Sequence, residues 1–80
     1  MNISEAVKLR ILELCKENSI TVNKLSIISG ITQSTLSNIT GGRNSSPTVS
    51  TVKKICDGLN ISVQEFFSAE IFNNLEQEIK

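Results

Sequence analysis

Short apolar runs in this chain are each preceded by a hydroxyl residue, and this punctuation constrains the fold more than any other feature. Ser4, Thr21, Thr32, Thr48 and Ser62 all stand just ahead of residues that recur at helical spacing. A Ser or Thr in that place accepts a hydrogen bond from a free amide of the first helical turn. Glycine marks the far ends, with Gly30 closing the second run and Gly41-Gly42 the third. The pattern predicts helices over about 5–18, 22–29, 33–40 and 49–58. Ser62-Val63-Gln64-Glu65 matches a capping box and predicts a short fifth helix carrying Phe66 and Phe67. No strand pattern survives, because every β-branched run is interrupted by a cap.

Val7, Ile11 and Leu14 share one stripe of the first segment. The inward sets of the next three are Leu25 and Ile28, then Leu36 and Ile39, then Val52, Ile55, Cys56 and Leu59. With Phe66 these make a closed apolar set. The fold class expected is all-α: a compact five-helix domain over 1–68, with a short amphipathic sixth helix in a tail over 69–80. In that tail Ile71, Phe72, Leu75 and Ile79 lie at i, i+1, i+4 and i+8. Apolar side chains left in water cost ~25 cal/mol per Å². Together with Phe67, the stripe is expected either to pair with a twofold mate, giving a homodimer, or to fold back on Leu9 and Leu12.

Eighty residues, 39% of them hydrophobic, supply one small core and exclude a cavity between domains. No run approaches the ~20 apolar residues of a membrane span, so no membrane partner is expected. MNISEAVKLR lacks the apolar stretch of a signal peptide, which predicts a cytoplasmic protein. Histidine is absent, and with it the commonest general base and metal ligand at neutral pH. Cys15 and Cys56 form no CxxC pattern and are expected as buried free thiols. Without a base, a paired nucleophile or a phosphate loop, no enzyme, metal or small-molecule cofactor is expected.

Net charge is zero, but it is unevenly spread. Residues 1–56 hold seven of the eight basic side chains against three acidic ones, a net +4. Residues 57–80 hold one lysine against five carboxylates, a net −4. A basic body with an acidic tail suits an anionic partner on one face.

The segment 22–40 has the layout of a helix-turn-helix. Ser26 is the small residue midway along its first helix, Gly30 follows four positions later at the turn, and Leu25, Ile31, Leu36 and Ile39 sit at the apolar offsets. The stretch GGRNSSPTVSTVKKICDGLNISVQEFF adds a glycine loop, a proline, a capped helix and a final short helix. Over about 5–68 the chain resembles the phage-repressor/Cro family of bacterial helix-turn-helix regulators. The resemblance implies a lambda-repressor-like domain whose third helix enters the major groove of double-stranded DNA.

The base-reading residues it implies are Thr32, Gln33, Ser34, Ser37 and Asn38. Gln33 and Asn38 can each make a paired contact to adenine N6 and N7, whereas Ser34 and Ser37 discriminate poorly. Thr32 divides its role between capping and a phosphate or thymine methyl contact. No Arg or Lys lies on this face, so a strong guanine reader is missing. Phosphate contacts are implied for Thr21, the Val22 amide, Lys24, Arg43, Asn44 and Thr48. Two departures stand out. Relatives often pair an arginine late in the first helix with a glutamate just past the third, where this chain has Cys15 and Thr40. Many also hold a phosphate with glutamine where this chain has Val22.

The expected function is a transcriptional repressor that binds a palindromic operator as a dimer. An antitoxin with the same DNA face and a toxin-covering acidic tail is one alternative. A protein-interaction module with a degenerate helix-turn-helix is another.

Overall fold

The computed structural model describes residues 1–41 and 46–79. Helix α1 spans Ile3–Glu17, α2 Val22–Ser29, α3 Gln33–Thr40, α4 Val49–Leu59 and α5 Val63–Phe66. A three-residue 3-10 turn, Glu70–Phe72, follows. The described residues contain no strand, so the all-α expectation holds. No helix among them is long and apolar enough to cross a membrane.

Thr21, Thr32, Thr48 and Ser62 each accept a hydrogen bond from the amide three residues on, as expected. At Ser62 only half of the capping box forms, with Glu65 N–H donating to Ser62 Oγ at 2.9 Å. The complete box is at the start of α1. There Asn2 accepts the Glu5 amide at 2.9 Å, and its own amide donates to the Glu5 carboxylate at 3.4 Å. Helix α1 therefore begins at Ile3, and Ser4 is not its cap. Asn2 has a glutamate three positions on to answer it; Ser4 has Val7, which cannot.

The core gathers Val7, Ile11 and Leu14 of α1, Leu25, Ile31, Leu36 and Ile39 of the middle segment, Val52 and Ile55 of α4, and Phe66. Cys15 and Cys56 belong to it as free thiols. Ile28 does not: it is 37% exposed, and Ser26 and Ser29 take the inner face of α2 beside Leu25. The reason is the close packing of α2 on α4. A Cβ added at Gly58 would lie 2.9 Å from Ser29 Oγ and 3.0 Å from the Ile28 carbonyl oxygen. Gly58 is thus a contact residue inside α4. The helix ends at Asn60, in left-handed geometry with φ 58°.

Arg10 is buried on α1. Its Nε–H donates to the Phe66 carbonyl at 2.7 Å, and Nη2 donates to the Glu65 carbonyl at 3.0 Å. Nη1 pairs with Glu13 one turn along α1. A cation suits the C-terminal end of a helix, where carbonyls lack intrahelical partners.

The tail forms the Glu70–Phe72 turn in place of a sixth α-helix. Asn73 and Asn74 follow, and asparagine disfavours a helix interior because its side chain competes for backbone hydrogen bonds. The segment then returns along α1. Phe72 packs against the core, its ring centroid 4.9 Å from Phe67 and 6.2 Å from Phe66. The Glu76 amide donates to the Met1 carbonyl at 3.1 Å, and its carboxylate lies 3.5 Å from the Met1 amino group. Ile71, Phe72 and Leu75 are half-buried in this way, while Ile79 is 87% exposed.

Candidate nucleic-acid interface

Two short helices and a three-residue turn build the candidate interface. Helix α2 ends at Gly30, whose φ of 67° only glycine adopts freely. The next amide, Ile31 N–H, reaches back to the Ser26 carbonyl at 3.1 Å, and the Ile31 side chain is buried. This closes α2 in a Schellman-type cap and turns the chain at once into α3. Ser26 is 4% exposed, and its hydroxyl donates to the Asn23 carbonyl at 2.6 Å. A small side chain there lets α3 pack closely, and its polar atom is satisfied within its own helix.

Helix α3 is held from one side. Leu36 and Ile39 are buried, and Thr40 is half-buried with its hydroxyl donating to the Leu36 carbonyl at 3.0 Å. Thr32, Gln33, Ser34, Ser37 and Asn38 are all exposed, as the sequence pattern requires. Thr35 is exposed as well and was missing from that set. Its amide donates to Thr32 Oγ1 at 3.2 Å, and the two hydroxyls meet at 2.8 Å. Thr32 is therefore committed to closing the first turn of α3. The Thr-x-x-Thr spacing is the sequence signal that could have found this pair.

Of the expected phosphate contacts, Thr21 and Thr48 are exposed caps opening α2 and α4, and Lys24 is exposed in the first turn of α2. Thr21 Oγ1 accepts the Lys24 amide at 3.0 Å. The Val22 side chain packs against the core, which leaves only its amide to offer an anion. Arg43 and Asn44 lie outside the described residues. Lys53 is ion-paired with Asp57 along α4, and the carboxylate pushes its ammonium pKa up. With Lys53 paired to Asp57, the basic excess of residues 1–56 is smaller at the surface than its count implies.

A short capped helix presenting polar side chains above a second helix, with a glycine turn between, defines a helix-turn-helix DNA-binding domain. Residues 10–70 match the Cro/C1-type HTH DNA-binding domain, and the chain belongs to that family. It is 33% identical over 57 residues to RghRB of Bacillus subtilis (strain 168), an uncharacterized HTH-type transcriptional regulator. That stretch is 71% of this chain and 41% of the relative, so the chain spans less than half the length of that protein. The crystal structure of the prophage Lp1 protein 11 superposes with a TM-score of 0.81 at 33% identity. The superposition covers 94% of this chain and 100% of that one.

Proposed function

We propose that this chain is a sequence-specific transcriptional regulator of the cytoplasm that represses by occupying a palindromic operator as a symmetric dimer. Residues 1–68 bind DNA, and the tail from residue 69 braces the start of α1 through Glu76 and Met1. The outer face of α3 carries the reading. Its exposed polar side chains stand above the buried Leu36 and Ile39, and the amides of Gln33 and Asn38 bond to no other described residue.

Support for a twofold comes from an apolar groove of about 210 Å³ lined by Ile3, Val7, Pro47, Val49, Val52 and Phe67. Val49 is 83% and Phe67 38% exposed there. A second copy would cover both through an isologous contact. Phe67 belongs to the expected dimerisation set, with Phe72 backing it from the same chain. Two copies also double the phosphate contacts, which one copy makes sparingly.

Selection of bound sites from random duplexes tests the proposal and should return half-sites ~34 Å apart. On the selected site, Gln33→Ala and Asn38→Ala should each weaken binding by about fivefold to 150-fold, leaving non-specific binding unchanged. Arg43→Ala should weaken both kinds of binding and flatten the salt dependence. An equal, sequence-blind loss from all three would overturn the division into base readers and phosphate anchor.

A further inference from the structure

We infer that α3 of each copy reads two adenines through the N6–N7 edge, and that N6-methylation of either adenine excludes the protein from its site. The inference rests on the DNA-reading function proposed above. It takes up the adenine contacts open to Gln33 and Asn38 and adds a covalent mark that controls access to those bases.

Successive helical residues turn by ~100°. With Leu36 and Ile39 inward, Ser34, Ser37 and Asn38 lie along the outermost line of α3, flanked by Gln33 and Thr35. Ser34 and Ser37 are short and let the helix approach closely, but a hydroxyl donates or accepts and so fits any base. The hydroxyls of Thr32 and Thr35 are engaged with each other, and that of Thr40 with the Leu36 carbonyl. Two groups remain that carry a donor and an acceptor side by side, the amides of Gln33 and Asn38. Neither bonds to another described residue, and both are exposed.

An amide matches adenine: its NH₂ donates to N7 while its oxygen accepts from N6. Guanine shows two acceptors at the same edge, so the amide oxygen would face a second acceptor. Helix α3 has no Arg or Lys to take guanine instead. Gln33 and Asn38 are five positions apart, about 7.5 Å along the axis, on the order of two base-pair steps. Each half-site therefore holds two spaced adenines.

Adenine N6 carries two hydrogens. One pairs with thymine, and the other points into the major groove, where the amide oxygen accepts it. In a paired duplex an N6-methyl group replaces the groove-side hydrogen. The amide oxygen then loses its donor and meets a methyl group.

The test is equilibrium binding of the whole chain to its selected duplex with N6-methyladenine at one read position, at the other, or at both. A duplex marked at an adenine outside the half-sites is the control. Each mark at a read position should weaken binding about tenfold or more, and the control mark should change nothing. Asn38→Ala should abolish sensitivity at one adenine and keep it at the other. Equal binding of marked and unmarked sites would overturn the inference while leaving sequence-specific binding intact, as would half-sites built on guanine. Equal binding of selected and random duplexes would overturn the DNA-reading function itself.

Discussion

The Arg10 guanidinium and the Phe66 carbonyl, 56 positions apart in sequence, meet at 2.7 Å and tie the first helix to the end of the fifth. The neighbouring Glu65 carbonyl takes a second donor from the same group. Arg10→Met keeps the length of the side chain but strands the Phe66 carbonyl, while the Glu65 carbonyl keeps the Ser68 amide and hydroxyl as donors. The expected loss is about 2–4 kcal/mol, read as a lower urea midpoint with unchanged slope. Arg10→Lys should recover part of it. A midpoint within ~0.5 kcal/mol of the parent for Arg10→Met would show the latch to be passive.

Gly58→Ala opposes two effects. Alanine is favoured in a helix interior by about 1 kcal/mol. The added Cβ, however, would lie within 2.9 Å of Ser29 Oγ and 3.0 Å of the Ile28 oxygen. The backbone oxygen cannot swing aside, so the substitution should destabilise by about 1–3 kcal/mol. Ser29 Oγ is buried without a hydrogen-bond partner among the described residues. Ser29→Ala should therefore be neutral or stabilising, and it should soften the cost of Gly58→Ala in the double variant. Chemical denaturation of the three variants decides this.

Phe72→Ala should cost about 2 kcal/mol, less than a fully buried phenylalanine, because it removes the ring that covers Phe66 and Phe67. Ile79→Ala, at a side chain 87% exposed, should stay within ~0.5 kcal/mol of the parent. Thermal melting separates the two. Equal small effects would mean that the tail does not brace the core.

Burial pushes the thiols of Cys15 and Cys56 up, and Asp57 adds to the shift at Cys56. A raised thiol pKa favours the neutral form in the native state. Its contribution to stability is fully present below the unfolded thiol value, about 8.5, and is lost as the pH rises through the folded values. Stability should therefore fall above about pH 8.5, and the Cys15→Ala, Cys56→Ala double variant should flatten that decline. Native thiols should also react with a disulfide reagent only as fast as the chain opens.

Local chemistry was legible in the sequence. Thr21, Thr32, Thr48 and Ser62 cap helices because the partner amide is three residues away. Gly30 closes α2 because few other residues take its φ of 67°. What the sequence hid lay between distant segments. The burial of Arg10 has no local signal, because its carbonyl partners on α5 are more than fifty positions away. Ile28 fitted the helical stripe, but the approach of Gly58 gave its place to Ser29. The tail had helical spacing, yet contacts with Phe67 and Met1 set its path. On α3, the exposure of Gln33, Ser34, Ser37 and Asn38 follows from the inward placing of Leu36 and Ile39, and that of Thr32 from its place as the cap. Thr35 escaped because its role is set by its bond to Thr32.

On the DNA-reading function proposed above, that one-sided anchoring of α3 would make its targets exchangeable. Ser34, Ser37 and Asn38 contribute nothing to the interior, so mutations there are nearly free of folding cost. On that reading a lineage carrying this domain would drift from one operator to another by changing three or four codons, while Leu36, Ile39 and the threonine-closed first turn keep the helix in place. Selection on stability and selection on target would thus act on separate sets of residues within α3 and its N-cap.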